Sequence, residues 1–313
     1  GLWVALGLAA LWRMLATAMP GRSPSSTGSP GPEKPGLPGL HAPFVPPGLR
    51  PGSSRRLLMA APVLAIGFIP LTLNWTDASR AGDQTTIAFA KDLLNSVEPY
   101  GVLITGGDND TFPLWYAQEV EGVRQDVTVG VLSLMNTDWF ARGLARRPTR
   151  PYDAAKGPAI YRDRQWRMPS HPPLNMTLGE VDSLPEVQPV QERVRFQFKE
   201  IDADIDPRRL LSIQGVPILE RADLIMFRMI ADSWPERPIY ISRTTGDYAE
   251  RMGLAPFVMA QGLARKVVPP PVPGPDVVAI AGSGWFDVAR SKALWDQFEG
   301  PRALVDFGKW VDR

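Results

Sequence analysis

Residues 57–73 read LLMAAPVLAIGFIPLTL, a run of 17 without a charged side chain. As a helix the run is about 25 Å long, the short end of what a bilayer core requires. Pro62 and Pro70 would be costly inside a soluble helix, whereas membrane helices tolerate proline because their surroundings re-satisfy the freed backbone groups. Arg50, Arg55 and Arg56 precede the run, Trp75 sits where an interfacial anchor belongs, and Asp77 is the first charge after it. The positive-inside rule then puts the preceding residues in the cytoplasm and everything from 74 onward outside. A second apolar stretch, GLWVALGLAALW, opens the chain ahead of Arg13 and reads as the cut end of another membrane helix. The expected organisation is a truncated transmembrane helix over 1–19, a Pro/Gly-rich cytoplasmic loop over 20–56, a transmembrane helix over 57–73 and an extracytoplasmic domain over 74–313. The expected location is the inner (cell) membrane.

The loop over 20–56 carries five Lys/Arg against one Glu and too few apolar residues to build a core. From Asn74 onward, 28 basic residues face 32 acidic ones, so the cationic charge belongs to the loop. A formal net charge of +1 argues against nucleic acid as a partner, because such binders carry a strongly basic face. Cysteine is absent and histidine is limited to His41 and His171. Disulfide scaffolds, thiolate nucleophiles and multi-histidine zinc sites are thereby excluded, and no metal site is assigned.

Within the domain, Ile87, Ala90, Leu93, Leu94 and Val97 recur at helical spacing, predicting an amphipathic helix over 79–97. Apolar runs at 101–105, 127–134 and 238–242 read as strands, with helices expected over 112–121, after Asn136 toward Arg147, and over 219–233. Strand and helix alternating through short connections predict an α/β domain with a mostly parallel sheet flanked by helices. Residues 193–201 alternate cleanly, as a half-exposed hairpin strand does, and the stretch from Trp285 to Trp310 is expected to be helical.

In such sheets ligands bind beyond the carboxyl ends of the strands. That rule selects Asp108, Asn109 and Asp110 after the first strand, Asn136 and Asp138 after the second, and Arg243 with Thr244 and Thr245 after the third. Their oxygens suit a divalent cation or the hydroxyls of a sugar, and Arg243 suits an anionic group. Helix capping accounts for the same residues equally well, with Asp110 or Thr111 starting one helix and Asn136 or Thr137 the next. Trp115 and Tyr116 read as core before they read as a sugar-stacking platform, and Asp202 with Asp204 as solvated turn carboxylates before a metal cluster.

The segments TGGDNDTFPLWYAQEVEGVRQDV (105–127) and LSLMNTDWF (132–140) are more specific than any of these patterns, and they follow an expected membrane span. With NWTDAS (74–79), ERADLIMFRMIADSWPERPIYIS (220–242) and GLAPFVMAQGLARKVVP (253–269), they resemble a family of bacterial multi-spanning membrane proteins. That family is similar to the animal transmembrane protein O-mannosyltransferase. The resemblance implies a membrane-embedded glycosyltransferase of the C type that moves a sugar from a polyprenyl-phosphate donor to a hydroxyl on a protein acceptor. It also implies that the catalytic acid lies upstream, so no catalytic residue is assigned and the chain alone is expected to be inactive. The alternative is a non-catalytic periplasmic binding or scaffolding domain.

Overall fold

A computed structural model describes residues 66–75, 78–234, 236–270, 273–281 and 284–307, and the chain divides into two units, 1–81 and 82–313. In the first unit, residues 66–75 are helical. Among the described residues no helix is long and apolar enough to cross a membrane, which overturns the expected α/β fold with one or two transmembrane helices. The expected helix over 1–19, the loop over 20–56 and residues 57–65 lie outside the described residues.

The second unit begins with helix α1 (Thr85–Asn95), strand β1 (Val102–Thr105), α2 (Asp108–Glu119), β2 (Thr128–Val131), α3 (Leu132–Met135) and α4 (Asp138–Arg146). Then follow α5 (Leu178–Ser183), β3 (Val187–Pro189), the hairpin β4 (Val194–Phe198) and β5 (Ile201–Ile205), and β6 (Leu211–Ile213) with β7 (Val216–Glu220). The chain continues through α6 (Arg221–Ser233), β8 (Ile239–Ser242), α7 (Tyr248–Arg251), β9 (Val258–Gln261), β10 (Ala264–Val267), β11 (Val277–Ile280), β12 (Gly284–Asp287), α8 (Val288–Trp295) and α9 (Gly300–Phe307).

The main sheet has seven strands in the order β11-β12-β9-β10-β8-β1-β2. β8, β1 and β2 are mutually parallel, and every residue in all three is buried, as expected of strands covered on both faces. The rest corrects the expectation of a mostly parallel sheet: β10 runs antiparallel to both β8 and β9, β11 antiparallel to β12, and only β12 with β9 adds another parallel pair. The cause is local. β9 and β10 are joined by the two residues Gly262 and Leu263, with Gly262 at φ +63°, and a connection that short can only join antiparallel neighbours. The stretch from Trp285 is likewise not one helix, because it starts inside β12 and then breaks into α8 and α9.

Leu93, Leu94 and Val97 from the α1 segment, Leu103 and Ile104 from β1, Val129 and Val131 from β2, and Ile225 and Met229 from α6 share one core. β4 and β5 form the expected half-exposed hairpin; its outward acids Asp202 and Asp204 face Arg195 and Arg193 across the strands, not a turn or a metal.

Gly253 fastens this hairpin to the segment after β8. It sits at φ +68°, and a Cβ there would lie 2.5 Å from the Asp204 carbonyl oxygen. Gly253→Ala is expected to cost about 2–3 kcal/mol, from a left-handed conformation and a clash with backbone that cannot move aside. Gly246→Ala is the control, since Gly246 has φ +62° but open space around its Cβ position. It should cost about 1 kcal/mol. Urea unfolding of both variants measures the difference, and equal losses would show that the contact with Asp204 contributes nothing.

Candidate functional site

The carboxyl ends of β8, β1 and β2 lie side by side, which brings the three predicted loops to one edge of the sheet. The loop after β1 turns through Gly106 and Gly107 straight into α2. A Cβ on Gly106 would lie 3.4 Å from the Thr244 carbonyl oxygen, so the exits of β1 and β8 are in close contact. Asp108 and Asn109 are exposed in the first turn of α2, whereas Asp110 is buried. The Asp110 carboxylate accepts from the Thr244 hydroxyl, and Thr244 Oγ1 lies 2.7 Å from Ser242 Oγ. Asp110 thus crosses to the β8 exit instead of capping its own helix, whose N-cap position is Gly107.

Asn136 and Asp138 are also engaged elsewhere. Asn136 Oδ1 accepts from the Ala222 amide at 2.9 Å, capping α6 rather than the helix next to it in sequence. Asp138 is exposed but accepts from the Arg221 guanidinium, whose own side chain is buried. Arg243 is exposed at the β8 exit, its guanidinium 5.2 Å from the centre of the Phe286 ring. It stands on the β12 side, away from the acidic loops. Among the described residues no group of three or more His, Asp or Glu is placed to hold a metal ion.

What the edge does form is an open cleft of about 280 Å³ between the β1 and β8 exits, α3 and the start of α6. Gly106, Asn136 and Thr244 line it, together with Glu220, Asp223, Tyr248 and Arg251, which sequence reasoning missed. Asp223 occupies the first turn of α6, where its Oδ2 accepts from the Glu220 amide at 2.8 Å and its Oδ1 from the Tyr248 hydroxyl at 2.8 Å. Burial pushes the Asp223 carboxyl up, opposed by those two hydrogen bonds and by Arg251. Burial, reinforced by the neighbouring Asp223, pushes the Tyr248 hydroxyl well above its ordinary range. Arg251 lies 5.5 Å from the centre of the Tyr248 ring. The available signal was Asp223 at the third helical position after Glu220, the spacing of a capping box. Nothing local marks Tyr248, which reaches Asp223 from 25 residues away.

The aromatic residues divide. Trp115 is half-buried and packs near Phe140, with ring centres 6.4 Å apart, whereas Phe112, Tyr116 and Trp139 are more than half exposed. Tyr116 is therefore not a core residue. The buried face of α2 is made by Asp110, Thr111, Leu114, Ala117 and Gln118, with Gln118 Nε2 donating to the carbonyls of Arg124 and Val127.

The protein-family model described as TMEM260-associated domain 2 matches residues 86–201. This relates that part of the chain to TMEM260-type proteins, in keeping with the resemblance read from the sequence. The matched stretch contains the loops with Asp108, Asn109, Asp110, Asn136 and Asp138, and it ends before Asp223, Arg243, Tyr248 and Arg251. No curated protein and no solved structure matches the chain.

Proposed function

We propose that this chain is the recognition part of a glycosyltransferase of the protein O-mannosyltransferase type, using a polyprenyl-phosphate-linked sugar donor. In this reading the cleft at the carboxyl ends of β8, β1 and β2 receives the sugar or the acceptor hydroxyls, and the transfer chemistry lies elsewhere. The observation that carries the reading is the match of residues 86–201 to TMEM260-associated domain 2, within which the acidic loops run to that edge. The side chains there favour recognition over transfer. Asp110 and Asp223 already accept hydrogen bonds from Thr244 and Tyr248, contacts that hold both carboxylates within the fold.

A second reading, a scaffolding module without a ligand, has one specific observation behind it: Asn136 and Asp138 are spent on Ala222 and Arg221 inside the fold. Asp108 separates the two readings. It is exposed two residues after Gly106, which lines the cleft, so Asp108→Asn removes a charge without opening the core. The expected result is that the chain shows no turnover with polyprenyl-phosphate mannose and an acceptor peptide, yet binds a mannoside saturably. Asp108→Asn should weaken that binding roughly tenfold, the loss expected of a charged hydrogen-bond acceptor. Turnover above background would place the chemistry in this chain. Binding that is absent, or indifferent to Asp108, would leave the scaffold reading.

A further inference from the structure

Helix α9 is held at its start by a side chain of α1. Its first two amides, of Glu299 and Gly300, donate to the two oxygens of Asp92 at 2.8 and 2.7 Å, so a buried carboxylate on α1 holds the start of α9. A Cβ on Gly300 would lie 2.9 Å from Asp92 Oδ2, which explains glycine at the point of contact. Beyond that point the described side chains are mostly exposed. Arg302, Leu304, Val305 and Asp306 are exposed, Val305 at 78%. Among the described residues, the ion pair that reaches the junction is Lys91 with Glu299 at 3.9 Å; Lys91 is closer to Glu121, at 2.7 Å, and Glu299 is largely exposed, so the pair adds little.

Clefts flank α9. One, about 340 Å³, is lined by Gln84, Ile87, Lys91, Arg302 and Asp306. The other, about 500 Å³, is apolar, with Phe89, Leu263, Trp295, Phe298 and Leu304 in its walls and Asn109 of the β1–α2 loop at its rim. Among the described residues α9 has few buried side chains, clefts along both flanks and one strong attachment, the marks of an element of low local stability that opens on its own. We propose that α9 is a releasable strap latched by Asp92, whose displacement merges the two clefts into one groove along α1, apolar on its Phe89 side. The strap is independent of the ligand reading of the carboxyl-edge cleft.

The latch predicts an uneven response. In Asp92→Ala, hydrogen exchange of the α9 amides should accelerate at least about fivefold, the effect of removing a strong helix cap, while amides of β1, β2 and β8 keep their protection. Asp92→Asn keeps an oxygen acceptor for one of the two amides and should fall between Asp92→Ala and the unaltered chain, and it serves if Asp92→Ala does not fold. An apolar dye such as anilinonaphthalene sulfonate should bind Asp92→Ala more than the unaltered chain, and Phe89→Ala in the same background should reduce that gain. Unchanged α9 exchange in both Asp92 variants would overturn the latch. Loss of protection in α9 and the central strands together would overturn the strap, because α9 would then be an integral part of the cooperative fold.

Discussion

Glu98→Gln is expected to destabilise the second unit by about 3 kcal/mol near neutral pH, the low end of what breaking a buried charge cluster costs. Glu98 is 8% exposed and meets two cations at once, Lys266 Nζ at 2.6 Å and Arg290 Nη1 at 2.9 Å. Arg290 also donates to the Tyr161 hydroxyl at 2.9 Å, so one carboxylate gathers β10, α8 and the irregular segment after α4. Glutamine keeps the shape, but only its oxygen can accept, so one of the two cations loses its hydrogen bond and both are left without a counter-charge in a poorly solvated place. The pH dependence gives a second check. Burial pushes the Glu98 carboxyl up, but Lys266 and Arg290 outweigh it and hold the carboxyl below its ordinary value. A depressed folded value means that the stabilisation is fully present above the unfolded glutamate pKa, about 4.3, and is lost as pH falls through the lower folded one. The gap between the unaltered chain and Glu98→Gln should therefore be constant from about pH 5 upward and close in more acid solution. Urea unfolding across that range measures it, and a gap independent of acid would show that the charge of Glu98 is immaterial.

The same cluster shows why the sequence reveals half of the sheet and hides the rest. β1, β2 and β8 are short runs of mostly apolar or small residues, and each stands next to a helical period, so local pattern alone exposes them. β10 reads ARKV, with two cations in a row. Arg265 is nonetheless buried and Lys266 nearly so, because Glu250 and Glu98 meet them from 15 and 168 residues away. No window of the sequence contains those partners. The carboxyl edge behaves alike: strand order brings the acidic loops together, as parallel strands must, but the partners of those loops are long-range. Asn136 caps a helix 86 residues on, and Asp110 takes its hydroxyl donor 134 residues on. Capping was legible as a role for such residues, and which helix would be capped was not. The transmembrane reading went wrong for a different reason. It rested on the length of an apolar run, and among the described residues no helix is long and apolar enough to cross a membrane; residues 57–65 of that run lie outside them.

Asp223 is where the stability of the fold and the cleft meet, and its two simplest substitutions should differ widely. Asp223→Ala removes the acceptor for both the Glu220 amide and the Tyr248 hydroxyl, and Tyr248 is almost completely buried. Each buried donor left without a partner costs about 1–3 kcal/mol, so the expected loss is about 3–5 kcal/mol. Asparagine relieves only part of this: its oxygen accepts from the Glu220 amide and its amide nitrogen donates to the Tyr248 oxygen, but the Tyr248 hydroxyl hydrogen loses its acceptor. Asp223→Asn should therefore cost about 1–2 kcal/mol at neutral pH, well short of Asp223→Ala. Acid should reverse any advantage of the amide. Because burial raises the Asp223 carboxyl in the folded chain, its stabilisation is fully present below the unfolded aspartate pKa, about 3.9, and is lost as pH rises through the higher folded value. Relative to Asp223→Asn, the unaltered chain should gain stability as the solution is made more acid, opposite in sign to the Glu98 comparison. Thermal or urea unfolding of the three proteins between pH 4 and 8 decides it. If Asp223→Asn is as damaging as Asp223→Ala, the carboxylate charge itself holds α6 to α7, and the neutral hydrogen-bond account of this junction is wrong.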